Sequence, residues 1–272
     1  MRIGIFAKTF AGTTPAKVLA DSAAAGFASV QYNMACSGLT SLPEEISDDV
    51  AQAVAVAAKQ SGVSISAISA TYNMAHPSGA VRKAGRKSFA VIAAKAHAMG
   101  SNLLTLCTGS RDPNDQWRLH PQNASSDAWG DMVQEFGHLI AIAEQEDIYL
   151  GIEPELGNVV STPAKAAALI KEMQSKRLRI VFDAANLFEH AQAPDVRRLV
   201  EQGVDRLSGH IALAHAKDRN VKGVPCAPGK GIIDFSHYLK TLKAAGFDGD
   251  IVAHGFAAED AKGVAHLLKS IA

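Results

Sequence analysis

Eight short apolar runs alternate with amphipathic, alanine-rich segments along the 272 residues, and this alternation limits the possible folds more than any other feature. The runs are Ile3–Ala7, Ser29–Asn33, Ser64–Thr71, Asn102–Thr108, Ile148–Glu153, Arg179–Asp183, Ile211–His215 and Asp250–His254. Each is brief and rich in Ile, Val and Leu, as a strand buried on both faces must be. Segments suited to helices lie between them, among them Pro15–Ala25, Glu44–Ser61, Val81–Met99, Asp127–Glu146, Pro163–Ser175 and Asp260–Ile271. Thr162-Pro163 is a helix entry, with a capping hydroxyl and a proline at the first helical position. Gly26, Gly62, Gly100 and Gly246 each stand between a helical segment and the next strand, where a left-handed cap is expected. No glycine-rich dinucleotide fingerprint follows the first run, which disfavours an open doubly wound sheet. The pattern predicts an α/β chain folded as a single (β/α)8 TIM barrel over residues 1–272.

Four of the runs end in side chains able to bind metal or move protons: Glu153, Asp183, His215 and His254. Their separations of 30, 32 and 39 residues are about one strand-helix unit each. In a barrel, parallel strands bring their carboxyl ends to one mouth, so the four would converge there. Glu153 can ligate a divalent ion or abstract a proton beside a carbonyl; capping a helix or pairing with Arg is the alternative. Asp183 ends an apolar run, where an unpaired charge would be costly. His215 suits a nitrogen ligand, and Lys217 lies two residues on, facing the same side of an extended chain. Lys217 could stabilise an oxyanion or act in acid-base chemistry, or simply pair with Asp218. His254 has the position of a fourth ligand or a proton shuttle.

Other polar groups at strand ends extend the expected pocket. Asn33, His76, Glu155 and Asn186 are candidates for substrate contact. The loop Gly109–Ala124 adds Arg111, which can clamp an anion, and Trp117, which can cover a sugar face. The PGKGIID segment at 228–234 could hold an anion on its backbone amides or form a plain turn. His97, His138 and His266 fall inside helical segments and read as surface or packing residues.

Composition closes off several classes. The chain is 47% hydrophobic and 20% charged, enough for a large core and too apolar for general disorder. Acidic and basic residues balance at 27 each, which removes any compositional case for nucleic acid. Cys36, Cys107 and Cys226 are odd in number and unpaired in spacing, so free thiols in a reducing compartment are expected. With no signal-like N-terminus and no run of about 18 apolar residues, the expectation is a cytoplasmic protein without membrane partners.

Taken together, GIEPE after the fifth run, VFDAANL after the sixth, HAKD after the seventh and PGKGIIDF beyond it resemble the sugar isomerase/epimerase superfamily of xylose isomerase-like TIM barrels. The resemblance covers essentially the whole chain. It implies one divalent metal ion (Mn, Zn, Co, Mg or Fe) held by Glu153, Asp183, His215 and a strand-eight residue. It also implies a small carbohydrate-like substrate, and it leaves a homo-oligomer open. The implied activity is a metal-dependent isomerase or epimerase acting on a sugar, sugar phosphate or related polyhydroxy carbonyl compound through an enediolate. Glu153, His254 and Lys217 would be its catalytic groups. The chain departs from the family at strand eight, where His254 replaces the usual Glu of an acid-base pair. It departs again at Asn186, where several relatives place His. A dehydratase of a cyclitol or sugar keto compound, or a non-catalytic sugar-binding barrel, are the alternatives. The superfamily also resembles three-zinc AP endonucleases, but those need more ligands than this chain offers.

Overall fold

The computed structural model describes residues 1–272. Eight parallel strands close into one barrel: β1 (Arg2–Phe6), β2 (Ser29–Tyr32), β3 (Ser64–Ser69), β4 (Leu103–Leu106), β5 (Tyr149–Ile152), β6 (Leu178–Asp183), β7 (Ile211–Ala216) and β8 (Asp250–Ala253). Closure comes from β1 pairing with β8 in the register Arg2↔Asp250 to Ile5↔Ala253. Outside lie α1 (Pro15–Ala24), α2 (Asp48–Ser61), α3 (Gly79–Lys95), α4 (Ser126–Gln145), α5 (Pro163–Met173), α6 (Ala193–Leu207), α7 (Phe235–Ala244) and α8 (Ala261–Ile271). The expected strands are all present, but β3 and β4 leave the ladder two residues early, at Ser69 and Leu106, to enter the mouth loops. Gly62 caps α2 at φ 69° and takes the amide bonds of a left-handed end, as its position predicted. Thr162 accepts a hydrogen bond from Lys165 N, with Pro163 opening α5.

The core divides in two. A large cluster of 66 buried residues fills the space between strands and helices. A small one, Ala67, Leu103, Val181, Leu213 and Val252, plugs the inside of the barrel. Strand side chains alternate, so the inward residue after each plug residue stands two positions on. Those residues are Ser69, Thr105, Asp183, His215 and His254. An apolar floor thus carries a polar layer directly above it, at the carboxyl end of the strands. No helix is long and apolar enough to cross a membrane.

Candidate metal centre

Glu153 stands one residue past β5, Asp183 ends β6, His215 lies within β7, and His254 stands one residue past β8. One donor atom from each falls within 4.8 Å of all the others. His215 Nδ1 is 3.2 Å from Glu153 Oε1 and 3.9 Å from Asp183 Oδ2. His254 Nε2 is 3.2 Å from the same Asp183 oxygen. Asp183 Oδ1 accepts from Ala185 N at 2.8 Å, capping the short turn Ala184–Asn186 and leaving Oδ2 to the cluster. Glu153 Oε1 also accepts from Asn186 Nδ2 at 3.0 Å, while the Cys107 thiol approaches Oε2 at 3.8 Å.

The charges fit the burial. Burial works to raise the Glu153 carboxyl, but the charge and hydrogen bond of His215 outweigh it and hold the group below its ordinary value. Asp183 behaves alike: burial pushes up, and the His254 hydrogen bond with the Lys217 charge brings it well down. For His215, burial favours the neutral ring, yet Glu153 and Asp183 outweigh it and hold the proton above the usual imidazole range. His254 is lowered, first by burial and then by the His215 charge. Two buried carboxylates facing two imidazoles form a donor set of oxygen and nitrogen that suits a divalent first-row ion. The residues therefore fit a metal.

The cluster opens into a cavity of about 450 Å³ at the barrel mouth, lined by residues that include Glu153, His215 and His254. Asn33, Glu155, Lys217 and Trp117 join them there. Glu155 is pushed up to about 7, chiefly by burial and then by the neighbouring Glu153 charge. Trp117 is half exposed at the rim. A wider hollow of about 690 Å³ between α5 and α6 contains none of the four clustered groups.

Other expectations need correcting. Arg111 does not face the cavity: its guanidinium is 2.7 Å from Asp131 and donates to Ala75 O, so it ties the β4 loop to α4. His76 is held between Pro113 O at 3.2 Å and the amide of Ser78 at 3.0 Å, and it does not line the cavity either. Asn186 is buried against Glu153 and Pro154 O, where it orients the carboxylate and has no place in the cavity wall. The PGKG amides are occupied, since Gly229 N and Gly231 N donate to Asp218 Oδ2 at 3.0 and 2.9 Å. Asp218 is thereby spoken for by the loop, and Lys217 turns to the cavity without it.

Sequence reasoning missed the second half of the wall. Gln31 on β2, Ser69 on β3 and Thr105 on β4 line the cavity with Thr71 and Cys107 just past β3 and β4, Phe6 at the end of β1 and Lys8 beyond it. The signal was present as alternation: Gln31 stands two residues before Asn33, on the same face of β2.

A closed parallel barrel with a carboxylate-imidazole cluster at the carboxyl ends of its strands defines the class, a (β/α)8 barrel bearing a candidate metal centre. The family model described as xylose isomerase-like TIM barrel matches residues 19–271. The chain belongs to that family. No curated protein matched the chain in sequence. Among solved structures it is similar to a 3-keto-D-glucoside 4-epimerase from E. coli, with TM-score 0.80, 16% identity and 99% of each chain covered. A D-tagatose 3-epimerase-like protein gives TM-score 0.77 at 20% identity, covering 100% of this chain and 97% of that one. A D-allulose 3-epimerase from Methylomonas sp. gives 0.76 at 16%, covering 100% and 98%. At these identities the likeness establishes the shared fold.

Proposed function

We propose that this protein is a metal-dependent isomerase or epimerase of a small polyhydroxy carbonyl compound, working by proton transfer at the carbon beside the carbonyl. The observation that carries the reading is the position of Glu153, which belongs both to the four-residue cluster and to the cavity wall. The sugar epimerases among its structural neighbours support the same class.

Glu153, Asp183, His215 and His254 would hold one divalent ion, Mn, Zn, Co, Mg or Fe. Bound there, the ion supplies Lewis-acid polarisation of a carbonyl oxygen. Glu153 is ionised near neutrality and takes the proton from the adjacent carbon, then returns it. Asn186 fixes the carboxylate from behind through its amide. Lys217 reaches the cavity from β7 and holds substrate oxygen as negative charge builds on it. Asn33 and Glu155 offer partners to hydroxyls, and the Trp117 face covers the sugar from the rim. Arg111, Arg118 and the PGKG amides are each paired internally, with Asp131, Asp112 and Asp218. That pairing leaves Lys8 and Lys217 as the lysine cations of the cavity wall.

A second reading, a dehydratase, is favoured by one observation: strand eight offers an imidazole where an opposed carboxylate would serve epimerisation. Turnover of aldoses, ketoses and inososes in D2O separates the two. Solvent deuterium at the carbon beside the carbonyl, lost in Glu153→Gln, is expected. Product formed without deuterium argues for a hydride shift or another reaction, and loss of one water from the product selects the dehydratase.

A further inference from the structure

We propose that Gln31 is a positioning residue for the metal centre, fixing His215 so that Nδ1 faces the ion; this rests on the metal-site reading above. His215 Nε2 lies 2.8 Å from Gln31 Oε1, at the opposite edge of the ring from Glu153 and Asp183. The Gln31 amide is itself pinned: its Nε2 donates to Ser69 Oγ and to Thr105 Oγ1, each at 3.1 Å. With both amide hydrogens engaged, Oε1 is the atom presented to the ring. It accepts the Nε2 proton, which stays in place whether or not Nδ1 carries one. Nδ1 is therefore the ring nitrogen left facing the two carboxylates. All four members of the chain are buried: Gln31, Ser69, Thr105 and His215. An Nε2–H left without this acceptor would be an unpaired donor on a buried ring.

Three strands outside the ligand set thus set the aim of one ligand, since Gln31, Ser69 and Thr105 come from β2, β3 and β4. A neutral amide acceptor at Nε2–H makes the ring a better donor than no acceptor would, and a weaker one than a carboxylate would. The ring is oriented without adding charge to the centre.

The test uses chelator-stripped full-length protein, with Zn and Mn affinities measured by competition against a chromophoric chelator. Gln31→Met keeps the volume and removes the acceptor, so about 10- to 100-fold weaker binding is expected. Gln31→Glu keeps an acceptor and should bind within about threefold of wild type, or tighter. In the Zn-loaded protein, 15N spectra of the histidines should show His215 protonated at Nε2 in wild type and in Gln31→Glu. Affinity of Gln31→Met within about twofold of wild type overturns the proposal, as does an equal loss in both variants. Should Gln31→Met fail to fold, Thr105→Val unpins the amide instead. A loss of at least about threefold then supports the proposal, and an unchanged affinity overturns it. Wild type that binds no metal sinks this proposal together with the metal-dependent mechanism. Metal binding without turnover counts against the proposed activity alone.

Discussion

Replacing Asp218 with Ala should cost the fold about 3 kcal/mol while leaving the four clustered side chains in place. Asp218 is fully buried, and its carboxylate accepts four backbone amides. Arg219 N and Ile233 N reach Oδ1 at 2.8 and 3.2 Å, while Gly229 N and Gly231 N reach Oδ2 at 3.0 and 2.9 Å. Each such bond is worth about 1 kcal/mol net, more where the acceptor is charged. Against the sum stands the cost of burying the carboxylate, the leading cause of its raised pKa. Some of the freed amides regain water at this surface loop, which keeps the balance near 3 and well below the gross value. For a chain of this size that corresponds to a melting temperature lower by about 6–10 °C. Asp218→Asn keeps one acceptor oxygen and turns an NH2 towards two amides, so it should lose about half as much. Calorimetry or urea unfolding reads the shift, with chelator competition as the control on metal affinity. A fall under about 2 °C for the Ala variant would refute the claim that this carboxylate organises the loop. The same contact explains why the loop carries glycine at 231: a Cβ there would lie 2.2 Å from Asp218 Oδ1.

Elemental analysis of untagged protein should find about one divalent ion per chain in wild type and none retained in Asp183→Asn, because the amide cannot supply the shared anionic Oδ2. Wild type that stays metal-free after incubation with Mn, Zn and Co would end the metal mechanism. Metal affinity should also depend on pH through His215. In the metal-free protein its pKa is raised, and a ligating Nδ1 must be unprotonated. Affinity is therefore level above that raised pKa and falls by about tenfold per pH unit below it. Calorimetry in buffers of different ionisation enthalpy should count the proton released, and a pH-independent affinity from 5 to 8, about the span in which imidazoles titrate, contradicts the assignment.

The ligand strands were legible because their chemistry sits at the ends of runs whose Ile, Val and Leu announce burial on both faces. Asp183 after RIVF and His215 within IALAHA are conspicuous for that reason. The helix ends were legible through Gly62 and through Thr162-Pro163, which have local mechanisms. Gln31, Ser69 and Thr105 were not, because neutral polar residues in a strand look alike whether they face a cavity or a helix. Only the closed barrel, by placing them two residues above Ala67 and Leu103 or on the same layer of β2, gives them a direction. Arg111 misled for the opposite reason. A loop arginine beside a barrel mouth has the right chemistry for an anion, but its partner Asp131 lies on α4, 20 residues away, and sequence spacing does not reveal that pairing. The PGKG segment left an anion nest and a plain turn both open for the same reason, since its anion is a side chain of the protein itself.

The histidine at strand eight ties the metal and the proton chemistry together. With Glu153 and Asp183 ionised and His254 neutral, the ligand charge balances that of a divalent ion; a third carboxylate would leave the centre anionic. A balanced centre resists less as charge grows on a substrate oxygen. Imidazole in place of carboxylate also moves the donor set away from Mg and towards Zn, Co and Fe. The same exchange removes the strand-eight carboxylate that the family resemblance pairs with Glu153 in acid-base chemistry. Epimerisation needs a proton taken from one face and returned to the other, and His254 is turned towards Asp183 at 3.2 Å. Moving a hydrogen between neighbouring carbons on one face needs a single base, the role proposed for Glu153. Within the proposed class, then, aldose-ketose isomerisation asks for fewer acid-base groups at this mouth than inversion at a single carbon does.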